Sequence, residues 1–86
     1  MKNGNGQVEP TRLVLLDGKA QKPTLEQAQN IVGGWVEMVT LPNGDQMLVN
    51  EEGALHGLPL NAPASTLAGR ALVGNVILLK GEARWD

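Results

Sequence analysis

Apolar residues in this chain fall into short runs separated by glycine- and proline-rich breaks, and the period of each run predicts its structure. Leu13-Val14-Leu15-Leu16 is four apolar residues ended by Asp17-Gly18; that length favours a buried strand over a helix. Lys19 to Pro23 is polar connection. Thr24-Leu25-Glu26-Gln27 has the form of a capping box, with the Thr hydroxyl and the Gln amide meeting orphan backbone donors. Leu25, Ala28, Ile31 and Val32 then recur at helical spacing, and Gly33-Gly34 stops the helix, the first glycine suiting a left-handed cap. Trp35 to Leu41 alternates, Val36 and Met38 on one side, Trp35, Glu37 and Val39 on the other. Asn43-Gly44 is the strongest short hairpin signal, and Gln46 to Val49 returns as the second strand. A two-residue loop sets Met38 opposite Val49 and Thr40 opposite Met47, and so puts Val36, Met38, Met47 and Val49 on one buried face.

Asn50-Glu51-Glu52-Gly53 has asparagine first and glycine fourth, the signature of a type I turn. With Gly53 left-handed, such a turn closes a hairpin through a bulge, and Ala54 to Leu58 becomes a short third strand of a meander. Asn61 or Ser65 caps a brief helix ending near Gly69. Val73 to Leu79 is the longest apolar stretch, broken only by Gly74 and Asn75, and reads as a strand that is central or covered on both faces. The pattern predicts an α+β domain: a small, mostly antiparallel sheet of four or five strands, one helix on one face and a second short helix. The expected divisions are a flexible tail over residues 1–10, one domain over 11–81 and a C-terminal tail over 82–86.

Composition sharpens this. Eighty-six residues without cysteine cannot be stapled by a disulfide or hold a thiolate metal site. Phe and Tyr are absent, so only Trp35 and Trp85 are aromatic and the core must be aliphatic. A core this small leaves little surplus stability, and self-association is a natural supplement. No apolar run approaches the roughly 20 residues of a membrane span, and the first residues lack a secretion core. A soluble intracellular protein of the cytoplasm, away from membranes, is expected.

Charge is uneven. From Pro23 to Gly69 there is no Lys or Arg but five acids, Glu26, Glu37, Asp45, Glu51 and Glu52; the flanks hold all seven bases and four acids. Phosphate binding needs clustered bases, so direct nucleic-acid binding is not expected. An acidic face meeting a basic partner is the sharper reading of the same fact.

The densest chemistry lies in Asn50 to Asn61, which holds Glu51, Glu52, His56 and the turn glycines Gly53 and Gly57. Adjacent Glu51 and Glu52 diverge on a turn or a strand, a poor geometry for a shared-proton pair, and paired-carboxylate hydrolysis needs carboxyls converging from separate segments. His56 is the only histidine. A metal site would need it beside carboxylates, and Gly53 argues against a helix joining it to Glu52. No nucleophilic triad assembles around it, the nearest hydroxyls, Ser65 and Thr66, being unmarked by any activating base. Asn50 and Asn61 suit turn and cap positions; alternatively their amides form a small-ligand notch with the backbone of Gly57 and Leu58. Gly33-Gly34 lacks the Gly-Lys-Ser/Thr ending of a phosphate loop. Trp35 is a core residue or, if exposed, an interface anchor. Trp85 docks on its own domain or on a second subunit.

Val32-Gly33-Gly34-Trp35-Val36-Glu37, followed by Asn50-Glu51-Glu52-Gly53-Ala54-Leu55-His56-Gly57-Leu58-Pro59-Leu60-Asn61, resembles a family of unknown function found in small proteins of phages, prophages and conjugative elements. The resemblance runs from about Leu13 to Gly81 and includes a late strand entered through a glycine, here Gly74. It departs at Ala62, where the family often has Arg, and in the last strand, where Ile77 and Leu78 replace aromatics. The resemblance implies a mobile-element accessory protein and no particular activity.

Taken together, these readings lead to the expectation of a non-enzymatic, cofactor-free protein that binds a host or defence protein stoichiometrically, as an inhibitor for instance. The expected surface comprises Glu37, Asp45, Glu51 and Glu52, with Asn50, His56 and Asn61 at its edge. The alternative is a nucleotide or small-ligand sequestering oligomer, drawing cations from Arg12, Arg70 and Lys80. An enzyme using His56 with Glu51 or Glu52 is the third reading.

Overall fold

A computed structural model of the chain describes residues 11–17 and 21–85. The tail expected over residues 1–10, Gly18 at the end of the first strand, the start of the following connection and Asp86 lie outside the described residues. The elements are β1 (Leu13–Leu16), α1 (Leu25–Val32), β2 (Val36–Thr40), β3 (Gln46–Asn50), α2 (Ala62–Ala68), β4 (Val76–Leu79) and a closing 3-10 turn, Gly81–Ala83. They build an α+β fold around a four-stranded sheet of order β1-β4-β3-β2. β1 lies parallel to β4, while β4–β3 and β3–β2 are antiparallel, so the sheet is mostly antiparallel as the sequence predicts.

Central position explains the unalternating run. Every residue of β4 is buried, because the strand has a neighbour on each side and a helix over each face. Met47, Val49, Val76 and Leu78 turn to one face, where Ala64 of α2 packs. Leu48, Ile77 and Leu79 turn to the other, under Ala28 and Val32 of α1. Each aliphatic side chain removed from water here contributes about 1.5–3 kcal/mol. The end of the chain adds to the α1 side: Ala83 is buried, and Trp85 packs on that cluster and donates its indole N–H to Pro23 O at 3.0 Å.

Both helices start and stop where their caps stand. Thr24 accepts from Gln27 N–H, the Gln27 side chain accepts from Thr24 N–H, and Gly33 closes α1 at φ 84°. Asn61 caps α2 and Gly69 closes it at φ 70°. Leu25, on the expected apolar stripe, sits in the first turn outside the core cluster and is exposed.

Three expectations are corrected. The first concerns the hairpin register, which is one residue away from the expected one: Met38 faces Leu48, Glu37 faces Val49 and Val39 faces Met47. The loop is Pro42-Asn43-Gly44 rather than Asn43-Gly44 alone. Gly44 N–H bonds Leu41 O, Leu41 N–H bonds Asp45 O, and Gly44 takes φ 92°. That is a type I turn followed by a glycine bulge, the three-residue hairpin solution. Because side chains alternate, the shifted register puts Met38 on the face of Leu48 rather than that of Met47 and Val49; Leu48, in an interior strand, is fully buried, whereas Met38, on the edge strand, is left exposed.

The second correction concerns residues 54–58, which form no strand. Asn50 to Gly53 is a turn, Gly53 N–H bonding Asn50 O at 3.1 Å, but Gly53 is not left-handed. The chain instead coils on, with His56 N–H to Glu52 O and Leu58 N–H to Gly53 O, until Gly57 ends the coil at φ 67°. Gly53 is needed for space, since a Cβ there would lie 2.8 Å from Val73 Cγ2.

Third, β1 is an edge strand and is not buried throughout. Leu15 is exposed, because seven-residue α2 leaves an open groove between Leu15 and Leu67 over Leu41 and Leu78.

Candidate interaction surface

Sequence placed seven residues on one surface; the folded chain separates them into two kinds. Asn50 and Asn61 are buried. Asn50 Nδ2 donates to Val32 O at 3.1 Å, and its Oδ1 accepts from Glu52 N–H at 2.8 Å. The side chain thus ties the end of α1 to the turn after β3. Gly34 makes room for it: a Cβ at Gly34 would stand 3.0 Å from Asn50 Nδ2. Asn61 Nδ2 donates to Arg12 O and Gly74 O, both at 2.9 Å, and its Oδ1 accepts from Ala64 N–H at 3.2 Å. With these bonds made, neither amide projects to solvent and no notch forms between them. Gly74 belongs to the same junction, at φ 76° with Leu58 Cδ1 only 2.7 Å from where its Cβ would be. The glycines and asparagines of the motif residues therefore act as joints of the framework.

Asp45 is also engaged. Its carboxylate receives Lys80 Nζ and, at 3.0 Å, Asn43 Nδ2. Arg84 reaches the same corner, donating to Gly44 O at 3.1 Å. The Lys80 hydrogen bond, helped by Asn43 and the charges of Lys80 and Arg84, holds the Asp45 carboxyl below the usual aspartate range against the opposing effect of burial. A depressed folded-state value gives stability that is complete above the unfolded value of about 3.9 and is lost as pH falls through the lower, folded value. Urea midpoints should therefore fall more steeply below pH 4 in the parent chain than in Lys80→Met, and equal acid limbs would show that the pair contributes nothing. This pair also removes Lys80 from the cations open to a small anionic ligand.

Glu37, Glu51, Glu52 and His56 remain on the surface. Glu51 N–H bonds Trp35 O at 2.8 Å, so the acidic turn starts against the residue just before β2. Glu37 lies two positions further along and on the same side of the strand as Trp35. His56 Nε2 stands 3.6 Å from Glu52 Oε1, both side chains about half exposed. This is a solvated pair worth little. Among the described residues no group of three or more His, Cys, Asp or Glu side chains is placed to hold a metal ion.

Two apolar residues complete the surface. Trp35 is 65% exposed and Leu55, at the tip of the 51–57 coil, is 79% exposed. Leu55 was missed in the sequence because Ala54 to Leu58 read as a strand; its place between Gly53 and Gly57 was the signal for a loop tip. Arg12 stands apart, on an open cleft it shares with Asn30 and Asn75. No helix among the described residues is long and apolar enough to cross a membrane.

Neither the curated proteins nor the solved structures contain a match to the chain. The profile of one family does match, over residues 7–85 and hence over nearly the whole length. The chain belongs to that family, the domain of unknown function DUF3846.

Proposed function

We propose that the chain is a non-enzymatic accessory protein of a phage or mobile element that binds a basic host or defence protein stoichiometrically, through the surface of Trp35, Glu37, Glu51, Glu52, Leu55 and His56. The observation that carries this reading is the exposure of Trp35 and Leu55 beside a turn that displays the carboxylates of Glu51 and Glu52. An exposed tryptophan with a rim of charge is the composition of a binding hot spot, and a single-sign rim steers a partner of opposite charge and rejects others. The mobile-element setting rests on the sequence resemblance. A binding role rather than catalysis is favoured because the acid and base candidates, Glu52 and His56, are half exposed and 3.6 Å apart, in contact with the water that a catalytic site excludes.

Affinity capture from host lysate identifies the partner, and charge reversal then tests the surface. Glu51→Lys with Glu52→Lys should weaken the purified complex by about 10–100-fold and flatten its salt dependence. Trp35→Ala should weaken it by a similar factor without altering the salt slope. A partner that binds the reversed variant as tightly as the parent would end this reading.

A further inference from the structure

β2 is an edge strand of the sheet. β3 occupies one side of the strand, and among the described residues no strand occupies the other. The bond pattern fixes which groups face outward. Leu41 N–H bonds Asp45 O and Glu51 N–H bonds Trp35 O, so the odd-numbered residues from 35 to 41 bond inward to β3. In an antiparallel ladder the alternate residues point away, which leaves the N–H and C=O of Val36, Met38 and Thr40 on the edge. Natural edge strands are blunted by lysine, proline, a bulge or a covering segment. Val36–Thr40 has no lysine, proline or internal bulge, and its only charge is Glu37; Pro42 and the Gly44 bulge lie beyond its end. The side chains on the α1 side match this. Met38 is 43% exposed although it is a large apolar residue in the middle of a strand.

We infer that β2 is the interface of a homodimer, in which two copies pair edge to edge, antiparallel, about a two-fold axis at Met38. The occupant is a second copy because the edge is complementary to itself. With Met38 on the axis, Val36 lies opposite Thr40 of the second copy, and Met38 lies opposite Met38. These are the residues with outward groups, so each pair exchanges both N–H···O bonds. On the α1 side Met38 covers Met38 and Val36 meets the methyl of Thr40, the kind of cross-strand contact that stabilises a ladder. On the other side Glu37 lies across from Val39, and the two Glu37 carboxylates stand diagonally in solvent, where their repulsion is screened. The two four-stranded sheets become one continuous sheet. An 86-residue chain with a thin aliphatic core and no disulfide gains burial this way that it cannot obtain alone. This inference does not depend on the proposed partner, since the groups that carry it are the backbone of β2 and the side chain of Met38.

Sedimentation equilibrium of the full chain across micromolar concentrations reads the result directly. The parent should approach twice its 9.1 kDa mass. Met38→Pro removes an outward N–H that β3 does not use, and proline is accepted at such edge positions; its mass should fall two-fold, with the far-ultraviolet circular dichroism of the parent. Met38→Lys, which keeps the backbone donor but places two cations on the axis, should give the same two-fold fall and keeps the test decisive if the proline variant fails to fold. A parent that stays at 9.1 kDa at every concentration, or a dimer whose mass is unchanged in folded Met38→Pro or Met38→Lys, overturns the inference. Charge reversal at Glu51 and Glu52 should leave the mass at the dimer value, so failure of the dimer and failure of the partner surface give different readouts.

Discussion

Asn61→Ala should destabilise the domain by about 3 kcal/mol, the effect expected when a buried cap and a buried donor are lost together. Asn61 is fully buried and serves three backbone groups from three segments. Loss of the cap to Ala64 N–H costs about 1 kcal/mol. Gly74 O then loses the side-chain donor that reaches it, and an unsatisfied buried carbonyl costs about 1–3 kcal/mol. Arg12 O suffers less, because Val76 N–H also bonds it at 3.0 Å. For a domain this size the loss corresponds to a fall in Tm of about 15 °C. Asn61→Ser keeps a capping oxygen and should recover about 1 kcal/mol, leaving the rest. Urea titration of the three proteins checks this. An Asn61→Ala variant within about 0.5 kcal/mol of the parent would mean that water replaces the amide and the junction is not tied by it.

Ile77→Ala should cost about 4 kcal/mol. Ile77 is fully buried in the middle of β4, beside Val14 in β1 and Leu48 in β3, and packs in the cluster under Ala28 and Val32. Deleting its outer carbons loses transfer free energy and leaves a void that a sheet bonded on both sides cannot close. The residue has no polar atom, so the change should appear as a lower denaturation midpoint at unchanged m-value. Leu55→Ala provides the contrast. It removes the same three carbons, but from a loop tip that is 79% exposed, and should change stability by less than about 0.5 kcal/mol. Equal losses in the two variants would contradict the burial described above.

Legibility in the sequence followed the range of each interaction. Thr24 and Gln27 satisfy each other three residues apart, so the start of α1 could be read from neighbours alone, as could Gly69 at the end of α2, whereas its cap was legible only as Asn61 or Ser65 and is Asn61. The hairpin was legible only as a hairpin. Asn43-Gly44 marks a turn equally well with or without Pro42 in the loop, and one residue of loop length decides whether Met38 shares a face with Leu48 or with Met47 and Val49. Gly53 and Gly57 were visible as turn residues, but two turns can be joined by a strand or by a coil. The choice was made by Leu58 and Val73 packing close to Gly53, contacts that lie outside the local pattern.

The candidate surface shows the same limit. A count along the chain makes residues 23–69 wholly acidic, yet Lys80 and Arg84 return to Asp45 and Gly44 once β4 lies beside β3. The negative charge of the middle is thus divided, neutralised at the Pro42–Asp45 end of the hairpin and displayed at the Glu51–Glu52 end. Asn50 and Asn61 were grouped with the acids because they flank them in sequence, and they are separated from them by burial.

By itself the sequence determined the α+β class, the two helices with the caps of the first, the central apolar strand and an aliphatic core without covalent staples. Each follows from spacing, capping or composition, which act over a few residues or over the whole chain at once. Tertiary structure alone decided the strand order, the hairpin register, the framework role of both asparagines and the exposure of Trp35 and Leu55. Those depend on which distant segments meet, and a side chain's environment is set by what packs against it rather than by its neighbours along the chain.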